Sequence, residues 1–130
     1  MKILIVEDDF GSRKLLHVFL SPYGDCDIVV DGEEAIEAFR LALQEGTPYD
    51  LICLDIMLPK LDGQEVLKRI RTIEEEHNIV GKRSVKIIMT TALGDAKSIM
   101  TAFNSQCEGY LQKPIEKERL IKELRNLELI

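Results

Sequence analysis

Short apolar runs alternate along the chain with segments of helical periodicity, and the pair of patterns occurs five times. The runs are rich in Ile, Val and Leu and do not alternate strictly between apolar and polar residues. They are Ile3–Val6, Cys26–Val30, Leu51–Leu54, Val85–Met89 and Gly109–Gln112. Runs of this length and composition are typical of strands that are buried on both faces, as in a parallel sheet.

Between these runs, apolar residues recur at the spacing of a one-faced helix. The five stripes are Leu15/Leu16/Phe19/Leu20, Ala35/Ile36/Phe39/Leu43, Val66/Leu67/Ile70/Ile73, Ile99/Met100/Phe103 and Leu120/Ile121/Leu124/Leu127. Residues 21–24 and 46–48 are expected to end the first two helices, and Asp62 and Asp95 to begin the third and fourth. The segment 74–83 is interpreted as an extra helical turn and a surface loop, with Glu74-Glu75-Glu76 as a solvated face.

Five β–α units in strict alternation predict an α/β fold, with one open, doubly wound sheet of five parallel strands and five helices on its two faces. The composition, 45% hydrophobic and 31% charged residues, is that of a globular protein. Residues 1–130 are predicted to form a single domain, with nothing left over for an output domain.

The charge balance and the cysteines exclude several classes of function. There are 17 Lys and Arg against 23 Asp and Glu, and the formal net charge is −6. Such a chain is a poor candidate for direct nucleic-acid binding, which depends on neutralising phosphates. No apolar run approaches the ~20 residues that cross a bilayer, so membrane insertion is not expected. The three cysteines form no Cys-x-x-Cys pair, and a reducing, cytoplasmic location fits best.

Polar residues follow the predicted strands at their carboxyl ends, where ligands bind in open α/β sheets. They are Glu7, Asp8 and Asp9 after the first strand, Asp55 after the third, Thr90 and Thr91 after the fourth, and Lys113 after the fifth. If Asp8, Asp9 and Asp55 share a cleft, their charges require a cation, and carboxylate oxygens favour Mg²⁺. Mg²⁺ and Lys113 together bring the sum from −3 to zero, so the cleft can then accept a phosphoryl group. Asp55, alone at the end of a central strand, is the candidate nucleophile.

Several motifs at these strand ends resemble the receiver domains of two-component response regulators, specifically the stand-alone, chemotaxis-regulator-like kind. The matching pieces span about residues 2–127 and are Ile5–Asp9, Asp50–Pro59, Asp62-Gly63, Thr91-Ala92 and Gly109–Pro114. The resemblance implies the flavodoxin-like strand order 2-1-3-4-5. It also implies a phosphorylation-activated switch in a two-component phosphorelay, which is not an enzyme although it catalyses its own phosphotransfer and dephosphorylation.

The resemblance further implies a role for each matching residue. Asp55 takes the phosphoryl group, and Asp8, Asp9, Asp55 and the backbone carbonyl of Met57 bind Mg²⁺. Thr91 donates its hydroxyl to the phosphoryl oxygen, Lys113 pairs with another oxygen and has a cis bond to Pro114, and Tyr110 is the aromatic switch. Strand alternation puts Thr90 and Thr91 on opposite faces, and Thr91 is chosen because it begins the Thr-Ala match.

Two apolar residues depart from the family pattern near the acceptor. Met57 and Leu93 stand where many relatives have polar residues, at positions that flank the path of the hydrolytic water in this family. Neither side chain can orient a water by a hydrogen bond. The sequence therefore predicts slow self-dephosphorylation.

The implied partners are proteins. The phosphoryl donor is expected to be a sensor histidine kinase or a histidine phosphotransfer protein. A downstream protein target is expected on the face formed by the fourth helix, fifth strand and fifth helix, and a phosphorylation-dependent dimer is a further option. Target binding, relay to a histidine phosphotransfer protein and a phosphate sink all remain open as outputs.

Three other functions compete with this interpretation. A haloacid-dehalogenase-type phosphatase would need a second acid two residues after Asp55, where the chain has Met57. A flavodoxin-like cofactor carrier would need a phosphate-binding loop after the first strand, where Glu7, Asp8 and Asp9 would repel an uncoordinated phosphate. A scaffold with a dead site is disfavoured because the acceptor, the acidic pair, the hydroxyl and the lysine are all in place.

Overall fold

The fold is a parallel sheet, seen in a computed structural model that describes residues 1–92, 100–101 and 106–130. The strands in these ranges are β1 (Lys2–Val6), β2 (Asp25–Val29), β3 (Leu51–Asp55), β4 (Lys86–Thr91) and β5 (Gly109–Gln112). Neighbouring strands are all parallel, and their order is β2-β1-β3-β4-β5. The doubly wound sheet and its strand order are therefore confirmed.

Four of the predicted helices are present in the described ranges: α1 (Phe10–Leu20), α2 (Gly32–Gln44), α3 (Gly63–Glu76) and the C-terminal helix (Lys117–Asn126). The predicted cap is confirmed at Asp62, whose carboxylate accepts the Glu65 N–H at 3.0 Å. Of the predicted fourth helix, Met100 is helical together with Thr101, whereas Asp95, Ile99 and Phe103 lie outside the described residues, as does Leu93. No helix in the described part of the chain has the length and apolar character needed to cross a membrane.

The core consists of two apolar layers, one on each face of the sheet. One layer joins the sheet to α2 and α3, and the other joins it to α1 and the C-terminal helix. Alternate residues of β1 and β3 point into opposite layers, so that Leu4 and Ile52 lie in the first, and Ile3 and Cys53 in the second. Burial on both faces explains why these strands are continuous apolar runs.

Strand β2 departs from the prediction of burial on both faces. It lies at the edge of the sheet, pairs with β1, and leaves Ile28 39% exposed. Its sequence already carries Asp25 and Asp27, both exposed, which a strand buried on both faces would not tolerate.

The solvated face predicted for 74–76 is wrong at its first residue. Glu74 is buried and forms an ion pair with Arg71, with 2.7 Å between its Oε1 and the Arg71 Nη1. Its other oxygen accepts the Val85 N–H at 2.8 Å. Arg71 also donates to the Val85 and Gln106 carbonyls and to both carboxylate oxygens of Glu108. This network ties α3 to β4 and to the segment before β5, at the edge of the sheet opposite the carboxyl ends of the strands.

Candidate functional site

The carboxyl ends of β1, β3 and β5 bring one lysine between two carboxylates. Lys113 follows β5, and its Nζ lies 2.8 Å from Oε2 of Glu7 and 3.1 Å from Oδ2 of Asp55. Glu7 directly follows β1, Asp55 is the last residue of the adjacent strand β3, and both are almost fully buried. Residues 7, 55 and 113, far apart in the chain, therefore meet at one edge of the sheet.

Three carboxylates converge at this edge. Glu7, Asp8 and Asp55 each offer one oxygen, and these oxygens lie within 4.8 Å of one another. Asp8 is exposed, whereas the other two are buried, so the cluster opens to solvent on the Asp8 side. Hard oxygen ligands in a cluster that is open to water are the donor set that Mg²⁺ prefers, because this ion keeps several of its waters. The residues present therefore fit a magnesium ion.

The electrostatics of the cluster indicate an excess of negative charge. Burial raises the pKa of Glu7 to about 7; Lys113 opposes this shift, and the neighbouring charge of Asp55 adds to it. Partial burial lowers the pKa of Lys113, but its bonds to Glu7 and Asp55 outweigh that effect and raise the pKa above its usual value. One lysine does not neutralise three carboxylates, so a cation at this edge would relieve their repulsion.

The sequence did not identify Glu7 as a candidate metal ligand, but the structure places Glu7, and not Asp9, in the carboxylate cluster with Asp8 and Asp55. The N–H of Glu7 donates to the Val29 carbonyl at 3.2 Å, which continues the β1–β2 ladder and keeps Glu7 inside the sheet. Asp9 instead caps α1: its Oδ2 accepts the Ser12 N–H at 2.8 Å, and this bond lowers the pKa of Asp9. The position of Glu7, directly after the last apolar residue of the strand, was the signal in the sequence that could have identified it.

The loop after β3, residues 56–62 and here called the acceptor loop, folds back over the end of its strand. The N–H of Met57 donates to Oδ1 of Asp55 at 3.1 Å, while its side chain is 70% exposed. The Gly63 N–H closes the loop by donating to the Ile56 carbonyl at 2.9 Å. The backbone of Met57 therefore lies beside the Asp55 carboxylate, where its carbonyl was predicted to serve a metal ion.

Both threonines at the end of β4 are buried, and they differ in their surroundings. Thr90 is the register partner of Asp55, so their side chains share a face of the sheet. Its hydroxyl has no hydrogen-bond partner among the described residues. The Thr91 hydroxyl donates to the Ala92 carbonyl at 3.3 Å, and the Thr91 carbonyl accepts the Lys113 N–H at 2.8 Å. Thr91 is thus linked through the backbone to Lys113, and its role toward a phosphoryl group stays a prediction.

The last two implied features lie on and after β5. Tyr110 is paired in register with Met89 and is 39% exposed at the edge of the sheet. The Lys113–Pro114 peptide bond is cis, as the resemblance implied. The role of Tyr110 as a switch stays a prediction.

Comparison with known proteins identifies similar sequences over most of the chain. The family model described as the response regulator receiver domain matches residues 3–125. The probable transcriptional regulator ycf29 of Porphyra purpurea is 33% identical over 126 residues, which are 96% of this chain and 55% of that protein. The chain spans about half the length of the curated relatives it matches.

Solved structures are similar over almost the whole chain. A response regulator described as putative, from Chloroflexus aurantiacus J-10-fl, has a TM-score of 0.80 and 28% identity, and the match covers 97% of this chain and 95% of that one. A second similar structure is the co-crystal structure of the Saccharomyces cerevisiae histidine phosphotransfer signalling protein Ypd1 with the receiver domain of its downstream response regulator Ssk1. The match has a TM-score of 0.83 and 30% identity, and it covers 98% of this chain and 88% of that one.

Proposed function

The chain belongs to the receiver-domain family of response regulators, and we propose that it works as a phosphorylation-controlled switch with Asp55 as the phosphoryl acceptor. Receiver domains are signalling switches and not enzymes in the usual sense. The observation that carries the proposal is the position of the Lys113 ammonium, which forms ion pairs with both Asp55 and Glu7 at the edge where Asp8 also lies. An acceptor, a fixed cation and further carboxylates for a divalent ion are the groups that phosphoryl transfer requires.

The proposed step is a transfer from phosphohistidine to a carboxylate. An oxygen of Asp55 forms a bond to phosphorus while the bond from phosphorus to the imidazole nitrogen breaks, and the imidazole leaves with that electron pair. The product is an acyl phosphate on Asp55. Lys113 lies 3.1 Å from the Asp55 carboxylate and is therefore positioned to pair with the oxygens of the incoming group. Thr91 is proposed as the hydroxyl donor to another of these oxygens.

Glu7, Asp8 and Asp55 are the carboxylates that we propose for Mg²⁺, with the Met57 carbonyl as a further ligand. When bound, the ion would supply positive charge to the attacking carboxylate and to the phosphoryl oxygens. With Lys113 it would balance the three carboxylates, and the charge of Asp55, which adds to the effect of burial in raising the pKa of Glu7, would be compensated. Asp9 is assigned to the cap of α1 and not to this set.

The output that we propose is a protein–protein contact controlled by the charge on Asp55. New charge there would draw in the Thr91 hydroxyl, and the ring of Tyr110 would respond on the same side of the sheet. The predicted fourth helix, which completes the expected output face, lies mostly outside the described residues. A phosphohistidine-bearing kinase or phosphotransfer protein is the proposed donor, and the complex of Ypd1 with the Ssk1 receiver supports this choice.

The direct test is intact-mass analysis after treatment with acetyl phosphate. We expect the protein to gain one phosphoryl group in the presence of Mg²⁺, and peptide mapping to place it on Asp55. Removal of the metal with a chelator is expected to reduce the gain to background, because the clustered carboxylates would then repel the phosphoryl donor. A gain that is unaffected by the chelator, or located elsewhere in the chain, would refute the proposal.

Slow loss of the phosphoryl group is expected once it has been transferred. Met57 is exposed beside Asp55 and offers no hydrogen bond to an attacking water. Met57→Asn is expected to speed the decay by a factor on the order of ten, which corresponds to about 1.4 kcal/mol in the barrier. Leu93→Glu, at a position outside the described residues, is expected to act in the same direction.

The decay can be followed by the intact mass of the phosphorylated protein over time after the donor is removed. Leu41→Asn, which replaces an exposed apolar side chain on α2, serves as the control and should decay like the wild type. The hypothesis fails if Met57→Asn and Leu93→Glu decay no faster than that control.

A further inference from the structure

The first turn of α2 approaches the acceptor loop too closely for any side chain to fit between them. A Cβ added to Gly32, the first residue of α2, would lie 2.1 Å from the carbonyl oxygen of Leu61. It would also lie 2.8 Å from both the Leu61 Cβ and a Val66 methyl. The close approach therefore requires glycine at position 32.

A second contact beside Gly32 holds the same part of the loop. Asp31, the N-cap of α2, is buried, and its Oδ1 accepts the Glu34 N–H at 2.9 Å. Its Oδ2 lies 3.4 Å from the Nζ of Lys60, the residue before Leu61. Asp31 thus uses one oxygen to fix the helix and the other to hold the loop.

These two contacts act on the loop that presents the backbone of Met57 to Asp55. The loop is closed at its ends by the Gly63-to-Ile56 hydrogen bond and by the Met57-to-Asp55 hydrogen bond. Helix α2 is anchored because Ala35, Ile36 and Phe39 are buried in the core. The loop packs only in part, with Ile56 in the same core and Leu58 and Leu61 against it, whereas residues 57, 59, 60 and 62 are exposed. A bulkier residue at position 32 would therefore displace the loop and not the helix.

We propose that Gly32, supported by Asp31, is a positioning residue that sets the affinity of the acceptor site for a divalent ion. The contacts of Gly32 and Asp31, at the start of α2, fix the last part of the acceptor loop, at Lys60 and Leu61, and the loop in turn fixes the Met57 backbone beside the carboxylates. Mg²⁺ requires near-ideal octahedral geometry, so a displacement of a few tenths of an ångström in one ligand weakens its binding. This inference rests on the proposed function, because it assumes that the carboxylates of Glu7, Asp8 and Asp55 bind a divalent ion.

The test compares two glycine-to-alanine variants with the same steric conflict. A Cβ on Gly24 would also lie 2.1 Å from a backbone carbonyl oxygen, that of Met1. Gly24 directly precedes β2, at the opposite end of the strand from Gly32 and from the acceptor site. Gly32→Ala and Gly24→Ala are therefore both expected to lose stability in urea unfolding without metal, and only Gly32→Ala is expected to alter the site.

The decisive measurement is the dissociation constant of Mg²⁺ from each protein by isothermal titration calorimetry. Gly32→Ala is expected to weaken Mg²⁺ binding about tenfold, as loss of a group that supports a metal ligand typically does, while Gly24→Ala binds like the wild type. Equal affinity of the two variants, whether both are normal or both are weakened, would overturn the proposal.

Asp31→Asn provides a second variant for the case in which Gly32→Ala does not fold. Asparagine preserves the helix cap but removes the charge that holds Lys60. We expect Asp31→Asn to weaken Mg²⁺ binding relative to the wild type by less than about tenfold, and an unchanged affinity in Asp31→Asn would then overturn the proposal. If the wild type itself binds no Mg²⁺, the metal-dependent function fails, and that result is distinct from failure of the positioning role.

Discussion

Arg71→Met is expected to lower the free energy of unfolding by about 3–5 kcal/mol, because it leaves two carboxylates in the protein without their cation. The Arg71 side chain is 9% exposed, and its guanidinium lies 2.7 Å from Glu74 and 2.8 Å from Glu108. It also donates to the carbonyls of Val85 and Gln106. Methionine has similar length and can donate none of these bonds, so the loss is one of charge and hydrogen bonding more than of volume.

Without Arg71, the carboxylates of Glu74 and Glu108 would find little water to replace the hydrogen bonds that Arg71 donates. Glu74 is almost fully buried, and burial already raises the pKa of Glu108, an effect that the Ile87 N–H and Arg71 oppose. Without Arg71, fewer favourable interactions offset the free-energy cost of burying the charge of Glu108. Adding Glu108→Gln to Arg71→Met is therefore expected to recover part of the stability, since the amide oxygen can still accept the Ile87 N–H.

Arg69→Met is the matched control on the same helix. Arg69 also pairs with a glutamate, Glu65, at 3.6 Å, but both side chains are about half exposed. Such a pair contributes about 0.3–0.5 kcal/mol. Urea unfolding followed by circular dichroism compares the two variants, and a difference between them of less than about 1 kcal/mol would contradict the structural role of the Arg71 network.

Asp55→Asn is expected to abolish the gain of a phosphoryl group from acetyl phosphate, with Mg²⁺ present. The amide that replaces the carboxylate is a poor nucleophile and cannot form an acyl phosphate. The variant should stay folded, because the amide oxygen can still accept the Met57 N–H or the Lys113 ammonium. Mg²⁺ binding should also weaken, since one of three clustered carboxylates is lost.

Asp62→Asn applies the same chemical change in the same loop. Asp62 is exposed and caps α3, and asparagine is an equally good cap. Intact mass after acetyl phosphate treatment should therefore show wild-type incorporation for Asp62→Asn and background for Asp55→Asn. Equal incorporation in the two variants would exclude Asp55 as the acceptor.

The sheet could be predicted from the sequence because the burial of its central strands is visible in the apolar residues that form them. β1 and β3 lie in the middle of the sheet and need apolar side chains on both faces, which makes them continuous apolar runs. The carboxyl ends of parallel strands lie on one edge, so Asp55 and Lys113 were expected at that edge, while the strand order itself was implied by the resemblance to receiver domains. β2 shows the limit of this pattern, because position at the edge of a sheet is a property of the assembled fold.

The sequence by itself determined the parallel sheet, the edge where polar residues gather, and the presence there of Asp55, the proposed acceptor, and of Lys113. Only the tertiary structure decided that Glu7 and not Asp9 joins the carboxylates, because that choice depends on where the β1 ladder ends and the cap of α1 begins. The tertiary structure also decided the burial of Glu74 beside Arg71 and the close approach of the acceptor loop to Gly32. The contacts of Glu7 with Lys113, of Arg71 with Glu108 and of Gly32 with Leu61 join residues distant in the chain, and local patterns of polarity do not record the distances between them.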